Sequence, residues 1–376
     1  MSKLKIAHIA HSVGGVDVYL RNIIKNLDNE KFSNIVIHGL NDTNSPFLDN
    51  KKKVVKSYKT TLVRNISIFN DVKSIFAVYK ILKKERPDII HAHSAKGGII
   101  GRLAGRLLNI KVLYTPHAFS YLSADNGIKK TIFLLIEKLF ANSNSVLVAT
   151  SNSERNRGLK EVGYKENKSI VFNNCINPIS EIKPLSIAKN WPENYICTVG
   201  RPCYQKNIDF MIQAFYQIRK QKDIHLVIMG VGHHMGQLNI VKKMINDLNL
   251  SSHVTLLNWT SREDVLNIIS KSQLYISTSR YEGMPYSIIE SLALSIPCVV
   301  SDCDGNRDLI EHGYNGYVIK DYVIEEFKDS TLRILDNEIL KNQFSENALK
   351  SFKENFNIIN NISKLEKIYI KHIESN

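Results

Sequence analysis

Two successive α/β domains, each a parallel sheet covered by helices on both faces, are the fold this chain predicts. Short apolar runs alternate with amphipathic stretches along nearly the whole sequence. The alternation is interrupted once, by the proline-bearing stretch Asn177–Pro192, which has no clear periodicity. The chain is also 376 residues long, more than one ordinary core supports.

In the first half, Lys5–Ala10, Asn34–His38, Ile89–His93, Val112–Thr115 and Ser145–Thr150 read as strands. Each is short and almost continuously apolar, as strands buried on both faces are. Val18–Leu27, Ile68–Lys84, Gly98–Leu108 and Lys129–Phe140 lie between them and read as helices. The second half repeats the alternation with strands at Ile196–Gly200, His225–Met229, Val254–Leu257, Leu274–Ser277, Cys298–Ser301 and Gly316–Ile319. Two such runs predict two doubly wound domains, divided near residue 180 at 1–180 and 181–359, facing each other across a cleft. From about Asp336 onward the tail reads as helices, and no solenoid-length repeat is present.

Composition narrows the class. Hydrophobic residues make up 43% and charged residues 23%, as in a globular protein. No apolar run approaches the roughly 20 residues of a membrane-spanning helix. Thr131–Phe140, for example, is broken by Glu137 and Lys138. The start, Met1–His11, is interrupted by His8 and His11 and fits a first strand better than a signal peptide. Five cysteines without a C-x-x-C pair suit reduced thiols in a cytosolic protein. The net charge of +14 is uneven: residues 1–180 hold 28 basic and 13 acidic residues, the remainder 22 and 23. No aromatic-basic platform or helix-turn-helix accompanies the basic half, which argues against nucleic acid and for an anionic membrane surface. Lys129–Phe140 remains open between an ordinary core helix and an interfacial one, and Ile68–Lys84 shares the ambiguity.

In doubly wound sheets ligands bind beyond the carboxyl ends of the strands, and the glycine-rich and polar clusters fall there. Glu282-Gly283-Met284-Pro285 joins a strand to a helix that carries Glu290. Backbone N–H groups and the positive end of a helix make an anion site. Carboxylates on both sides of it suit a ligand that offers hydroxyls as well as phosphates, as a sugar nucleotide does. Gly14-Gly15 opens a helix after the first strand, allowing close backbone approach to a phosphate, though a tight turn alone would look the same. Arg201 and Lys206 follow the first strand of the second half, a planar fork and a point charge suited to a diphosphate. Gly230, Gly232 and Gly236 approach a dinucleotide fingerprint, but the next strand leads to Asn258-Trp259, without the acidic or arginine residue that reading needs. His91 and His93 point to one face of a strand and read as cleft lining beside Lys96; no Asp, Glu or Cys nearby in sequence completes a metal set. His117, just past another strand end, suits either a substrate contact or a structural role.

Together these segments resemble the retaining glycosyltransferases of family 4, which have the GT-B fold of two Rossmann-like domains. Glu282 through Glu290 is similar to the family's Glu-(seven residues)-Glu signature, and Asp304–Gly316 to the segment that follows it. His91–Gly98 and Thr115–Phe119 resemble the subset that builds bacterial surface polysaccharides. The resemblance implies transfer of a sugar from a nucleoside diphosphate sugar, with UDP favoured, to a polyprenyl-diphosphate-linked saccharide at the inner face of the plasma membrane. It implies no cofactor and no metal. Gly15 and the Gly283 and Met284 amides would face the donor, Arg201 and Lys206 the leaving diphosphate, Glu290 the ribose and Glu282 the donor sugar. His117 would lie near the reacting centre, and residues 360–376 would cross back to the first domain. Gln205 and Asn207 depart from the acidic residue and glycine common there, and Asp308 from the usual Glu. A sugar-nucleotide epimerase of the same architecture and an inactive nucleotide-sugar-binding protein are the competing readings.

Overall fold

A computed structural model describes residues 3–62, 68–124 (without the side chains of 68 and 69), 126–141, 143–232 and 237–374. The chain forms two compact units, Met1–Asn177 with Asn357–Asn376, and Pro178–Phe356.

The first unit is built on β1 (Leu4–Ala10), β2 (Phe32–Gly39), β3 (Lys56–Thr60), β4 (Ile89–His93), β5 (Val112–Thr115), β6 (Ser145–Ala149) and β7 (Ser169–Val171). They form one parallel sheet in the order β3-β2-β1-β4-β5-β6-β7. Its helices are α1 (Gly15–Asn26), α2 (Ile68–Glu85), α3 (Ser94–Leu108), α4 (Gly127–Ala141) and α5 (Asn152–Arg157). Alternation along the strands sorts the sheet into two chemically different faces. Ala7, Ile9, Ile35, Ile37, Ile90 and Ala92 pack against Val78 and Leu82 of α2 and Ile100 and Ala104 of α3, an all-apolar layer. The alternate positions His8, His91 and His93 turn to the other face and are fully buried there.

The second unit contains β8 (Tyr195–Val199), β9 (His225–Met229), β10 (Val254–Leu257), β11 (Tyr275–Ser277), β12 (Cys298–Ser301) and β13 (Gly316–Ile319). Their order is β10-β9-β8-β11-β12-β13, again all parallel. With them run α6 (Ile208–Arg219), α7 (Leu238–Asp247), α8 (Arg262–Ser270), α9 (Tyr286–Ala293), α10 (Asn306–Leu309), α11 (Ile324–Leu335) and α12 (Glu338–Ser351). Ile196, Leu226, Ile228, Ile276 and Val299 meet Phe210, Phe215, Phe327 and Phe344 in its core. In each sheet the strand order reverses beside the first strand, at β1/β4 and β8/β11, where a doubly wound fold opens its ligand crevice.

The last helix, α13 (Ile358–Glu374), belongs to the first unit. The returning chain is pinned where it re-enters: Asn357 bridges Ile176 in parallel, and the Ile358 N–H donates to the Ile176 carbonyl at 2.9 Å. Tyr369 of α13 and Tyr19 of α1 then cover the histidine face, with Tyr369 and Tyr19 edge-on to His91.

Burial of these imidazoles has a thermodynamic sign. Desolvation pushes His8 down to about 4, and it holds His91 and His93 well below the usual histidine range, with neighbouring imidazoles adding to the effect. The unfolded chain takes up these protons as pH falls through about 6.5. The folded chain does not, so stability present above that pH drains away on acidification. His8→Gln should therefore flatten the fall in unfolding free energy between about pH 6.5 and 4 by up to about 1.4 kcal/mol per pH unit. Denaturant titrations across that range measure it, and an unaltered slope would refute the assignment.

Candidate functional site

The loop after β8 and the loop after β11 are stitched together at the crevice of the second unit. The Thr278 hydroxyl is 3.0 Å from the carbonyls of both Lys206 and Asn207. The Arg280 N–H donates to the Gln205 carbonyl at 2.8 Å, and the Arg280 guanidinium to the Tyr204 carbonyl at 2.6 Å. This framework brings Lys206 Nζ to 2.7 Å from Glu282 Oε1. The same oxygen accepts from the Ser279 hydroxyl at 2.8 Å, and Glu282 Oε2 accepts from the Gln205 amide at 3.2 Å. Burial opposes the Lys206 charge, but Glu282 outweighs it and raises the ammonium above its ordinary pKa. Lys206 is thus held charged, its stem lying over Gly200, with two further N–H donors on Nζ.

Both departures of the first loop have a physical reading. Asn207 has φ 52°, the left-handed conformation that glycine takes freely and asparagine tolerates. Gln205 donates to Glu282, which an acidic residue in its place could not do. Asp308, in the third departure, accepts from the Gly305 N–H at 3.1 Å. Gly305 has φ +80°, and a Cβ there would lie 2.6 Å from the Gly283 carbonyl. Only glycine lets this turn press against Gly283 and Met284.

Pro285 is the N-cap of α9 and supplies no side-chain oxygen to the first turn. One turn on, Glu290 is buried and accepts from Arg262 Nε at 2.8 Å through Oε1, while Oε2 has no partner among the described residues. Burial raises its pKa, against the pull of Arg262. Half-buried Arg201 has neither an ion-pair nor a hydrogen-bond partner among the described residues. The site therefore offers two cations, a helix N-terminus and an uncommitted carboxylate oxygen. Gly230, with φ +86°, needs to be glycine on conformational grounds; Gly232 shows no steric need. Residues 233–236, the rest of that motif, lie outside the described residues.

In the first unit, Gly15 begins α1 behind Gly14, and that helix too lacks a side-chain cap. Lys96 pairs with Asp71 at 2.6 Å. His91 and His93 share a face, with ring centroids 4.1 Å apart, but the reading of His91 as cleft lining is corrected: it is buried, and both its nitrogens are engaged. Its Nδ1 lies 2.7 Å from the Tyr369 hydroxyl and its Nε2 2.9 Å from the Thr115 hydroxyl. His93 is likewise buried, 3.2 Å from His8 and 3.4 Å from His117. Together with His8, which sequence spacing gave no reason to include, they place ligand atoms within 4.8 Å of one another. Every ring nitrogen of the three is already hydrogen-bonded.

His117 is half-buried and edge-on to Tyr19, with ring centroids 4.8 Å apart. Desolvation pushes it down to about 3. Its φ is 56° and that of Ala118 is 76°, left-handed values that cost non-glycine residues roughly 1–3 kcal/mol each. Buried Glu154 holds the turn, accepting from the Ala118 N–H at 2.7 Å and from the Thr150 N–H at 2.7 Å. Arg262 and Glu154 carried no motif; only the folded chain places them.

Helix α4 is amphipathic in an unusual sense. Glu137 is buried and meets the buried Arg102 at 3.0 Å and the Tyr114 hydroxyl at 2.8 Å. Phe133 and Leu134 pack partly against the core, whereas Ile128, Ile132, Leu135 and Leu139 are 76%, 49%, 59% and 77% exposed. On α2, Val72 and Phe76 are also exposed. Among the described residues no helix is long and apolar enough to cross a membrane.

Comparison with known proteins agrees with this architecture. Residues 13–179 match the family described as Glycosyltransferase Family 4, and residues 181–351 match Glycosyl transferases group 1. The UDP-Gal:alpha-D-GlcNAc-diphosphoundecaprenol alpha-1,3-galactosyltransferase of Escherichia coli is 30% identical, over 98% of this chain and 97% of its own. An O-antigen biosynthesis glycosyltransferase of Escherichia coli is 25% identical over 69% of this chain and 71% of its own. Sucrose-phosphate synthase from Thermosynechococcus elongatus superposes with a TM-score of 0.84 over 100% of both chains at 17% identity. Two doubly wound parallel sheets, both domain matches and a full-length relative together establish that the chain is a glycosyltransferase of family 4 with the GT-B fold.

Proposed function

We propose that this enzyme moves a hexosyl or N-acetylhexosaminyl group from a UDP-sugar to a hydroxyl of a polyprenyl-diphosphate-linked saccharide, with retention of configuration, in surface-polysaccharide biosynthesis. The observation that carries the reading is the Lys206–Glu282 pair joining the loops after β8 and β11, the first of which also carries unpartnered Arg201 and the second of which leads into α9. Cations and helix N–H groups meet the diphosphate, while carboxylate oxygens accept from hydroxyls. The lipid-linked acceptor and the uridine follow the name of the Escherichia coli relative.

In this mechanism Arg201 and Lys206 stabilise charge as it develops on the departing diphosphate, an electrostatic effect. The Gly283 and Met284 amides, ahead of Pro285, and the glycines Gly230 and Gly232 form the donor side. Glu290 Oε2 accepts from the ribose and Glu282 from the donor sugar. In the first unit, Gly15, Lys96 and His117 are the residues proposed to contact substrate. The acceptor hydroxyl enters on the face the diphosphate leaves and passes its proton to that phosphate, so retention needs no enzyme nucleophile. These groups supply the positive charge themselves, so no metal is required.

Arg201→Ala removes no contact among the described residues, so it should leave folding stability nearly unchanged. It should still lower turnover by about 10²–10³-fold, as should Lys206→Ala. Near-normal turnover in both would sink the assignment. A chelator should leave the rate unchanged. Nuclear magnetic resonance of the product reads the anomeric configuration. Donor consumption that requires acceptor excludes the epimerase, and absence of any turnover would favour the inactive binding protein.

With a lipid-linked acceptor the proposed reaction would occur at the cytoplasmic face of the plasma membrane, and α4 is the element proposed to meet it. Its exposed apolar stripe is flanked by Lys129, Lys130 and Lys138, on the basic half of the chain. The paired substitution Ile132→Ser and Leu135→Ser should cut co-sedimentation with anionic vesicles several-fold without changing unfolding temperature. Equal binding by variant and parent would remove α4 from this role.

A further inference from the structure

The histidine face of the first sheet holds an ordered chain of imidazoles. His8 Nε2 lies 3.1 Å from Asn34 Oδ1, a carbonyl oxygen that can only accept. His8 therefore carries its proton on Nε2, and its Nδ1 is a lone pair. That lone pair, 3.2 Å from His93 Nε2, takes a proton donated by His93. His93 Nδ1 is then also a lone pair, and His117 Nε2–H, 3.4 Å away, donates to it. His117 Nδ1 is left bare, with no partner among the described residues. His91 stands outside the chain and is fixed separately. The Thr115 hydroxyl spends its proton on the Val148 carbonyl at 2.9 Å, so it accepts from His91 Nε2–H, and His91 Nδ1 accepts from Tyr369.

We propose that Asn34, through His8 and His93, sets the tautomer of His117, presenting its Nδ1 as an acceptor to a substrate hydroxyl. Asn34, His8 and His93 are positioning residues; of these four, His117 alone touches substrate. The proposal rests on the reading of His117 as a substrate contact. It adds a chemical restriction: the group meeting Nδ1 must donate a hydrogen bond, which a hydroxyl does and a phosphate or carbonyl oxygen does not. Neutrality of all three rings is what lets the order propagate. Burial pushes His8 down to about 4 and His117 to about 3, and holds His93 well below the ordinary range. An imidazolium would donate from both nitrogens and break the sequence of donor and acceptor.

The test is a long-range ¹H–¹⁵N correlation spectrum of the full chain with ¹⁵N-labelled histidine near neutral pH, assigned by single His→Gln variants. His8, His93 and His117 should all be neutral with the proton on Nε2. A proton on Nδ1 of His117 in the unmodified chain overturns the proposal, whatever the variants do. Asn34→Leu should split the His117 signal between tautomers while the His91 signal, set by Thr115, stays in place. That control separates a broken relay from a disturbed fold, and a His117 signal unmoved by Asn34→Leu also overturns it. Asn34→Leu should lower kcat by about twofold or more, in proportion to the misprotonated fraction, with KM for the donor unchanged. Full activity in His117→Ala would overturn the substrate contact itself, a failure the spectrum distinguishes from failure of the relay.

Discussion

The Lys206–Glu282 contact is the constraint on which the crevice of the second unit depends. It spans two loops that are far apart in sequence and adjacent only because β8 and β11 are neighbours at the strand-order reversal. A lone lysine this buried would tend to lose its proton, and the Glu282 carboxylate beside it holds Lys206 charged instead. Ser279 and Gln205 satisfy the remaining carboxylate geometry, so Glu282 is oriented before any ligand arrives. The Thr278 and Arg280 bonds fix the backbone beneath both residues. An electrostatic site works by being organised in advance of the charge it meets, and that stitching is the organisation.

The histidine face of the first unit and the crevice loops of the second handle buried polarity by opposite means. The second keeps charges and pairs them, Lys206 with Glu282 and Glu290 with Arg262. The first removes charge from its imidazoles and satisfies them by ordered hydrogen bonds. A charged site attracts phosphates from a distance. A neutral one discriminates by the direction of its hydrogen bonds, which suits hydroxyls. The strained turn at His117 and Ala118 belongs to this second strategy: Glu154 holds two non-glycine residues in left-handed backbone and so fixes one ring.

Much of this was legible in the sequence because it rests on local pattern. All six strands of the second unit were, since each is a short apolar run bounded by turn residues. β3 was not: Lys56-Ser57-Tyr58-Lys59-Thr60 is polar because it lies at the sheet edge, where exposed lysines discourage further pairing. β7 is only three residues long and lies at the opposite edge. Glu282, Glu290, Arg201 and Lys206 stood out through residue type and position after strands. Arg262, Glu154, His8 and Tyr369 did not, because what makes them relevant is a contact across the fold. His91 misled for the same reason. Its alternation with His93 gave the correct face but said nothing of α13, whose Tyr369 returns from the far end of the chain to cover it.

Helix α4 shows how one buried charge can turn a helix around. In an ordinary surface helix the apolar stripe faces the core and charges face water. Here Glu137 faces inward, matched by Arg102 and the Tyr114 hydroxyl, and Arg102 also stacks over the Tyr114 ring, 4.1 Å from its centroid. Removing either partner would strand an uncompensated buried charge, at a cost of about 3–5 kcal/mol. That cost fixes the rotation of α4 about its axis. Ile128, Ile132, Leu135 and Leu139 stay outside, while Phe133 and Leu134 on the inward side pack partly against the core. With Glu137 held inward by Arg102, the opposite face of α4 is left as an exposed apolar ridge on the basic half of the chain.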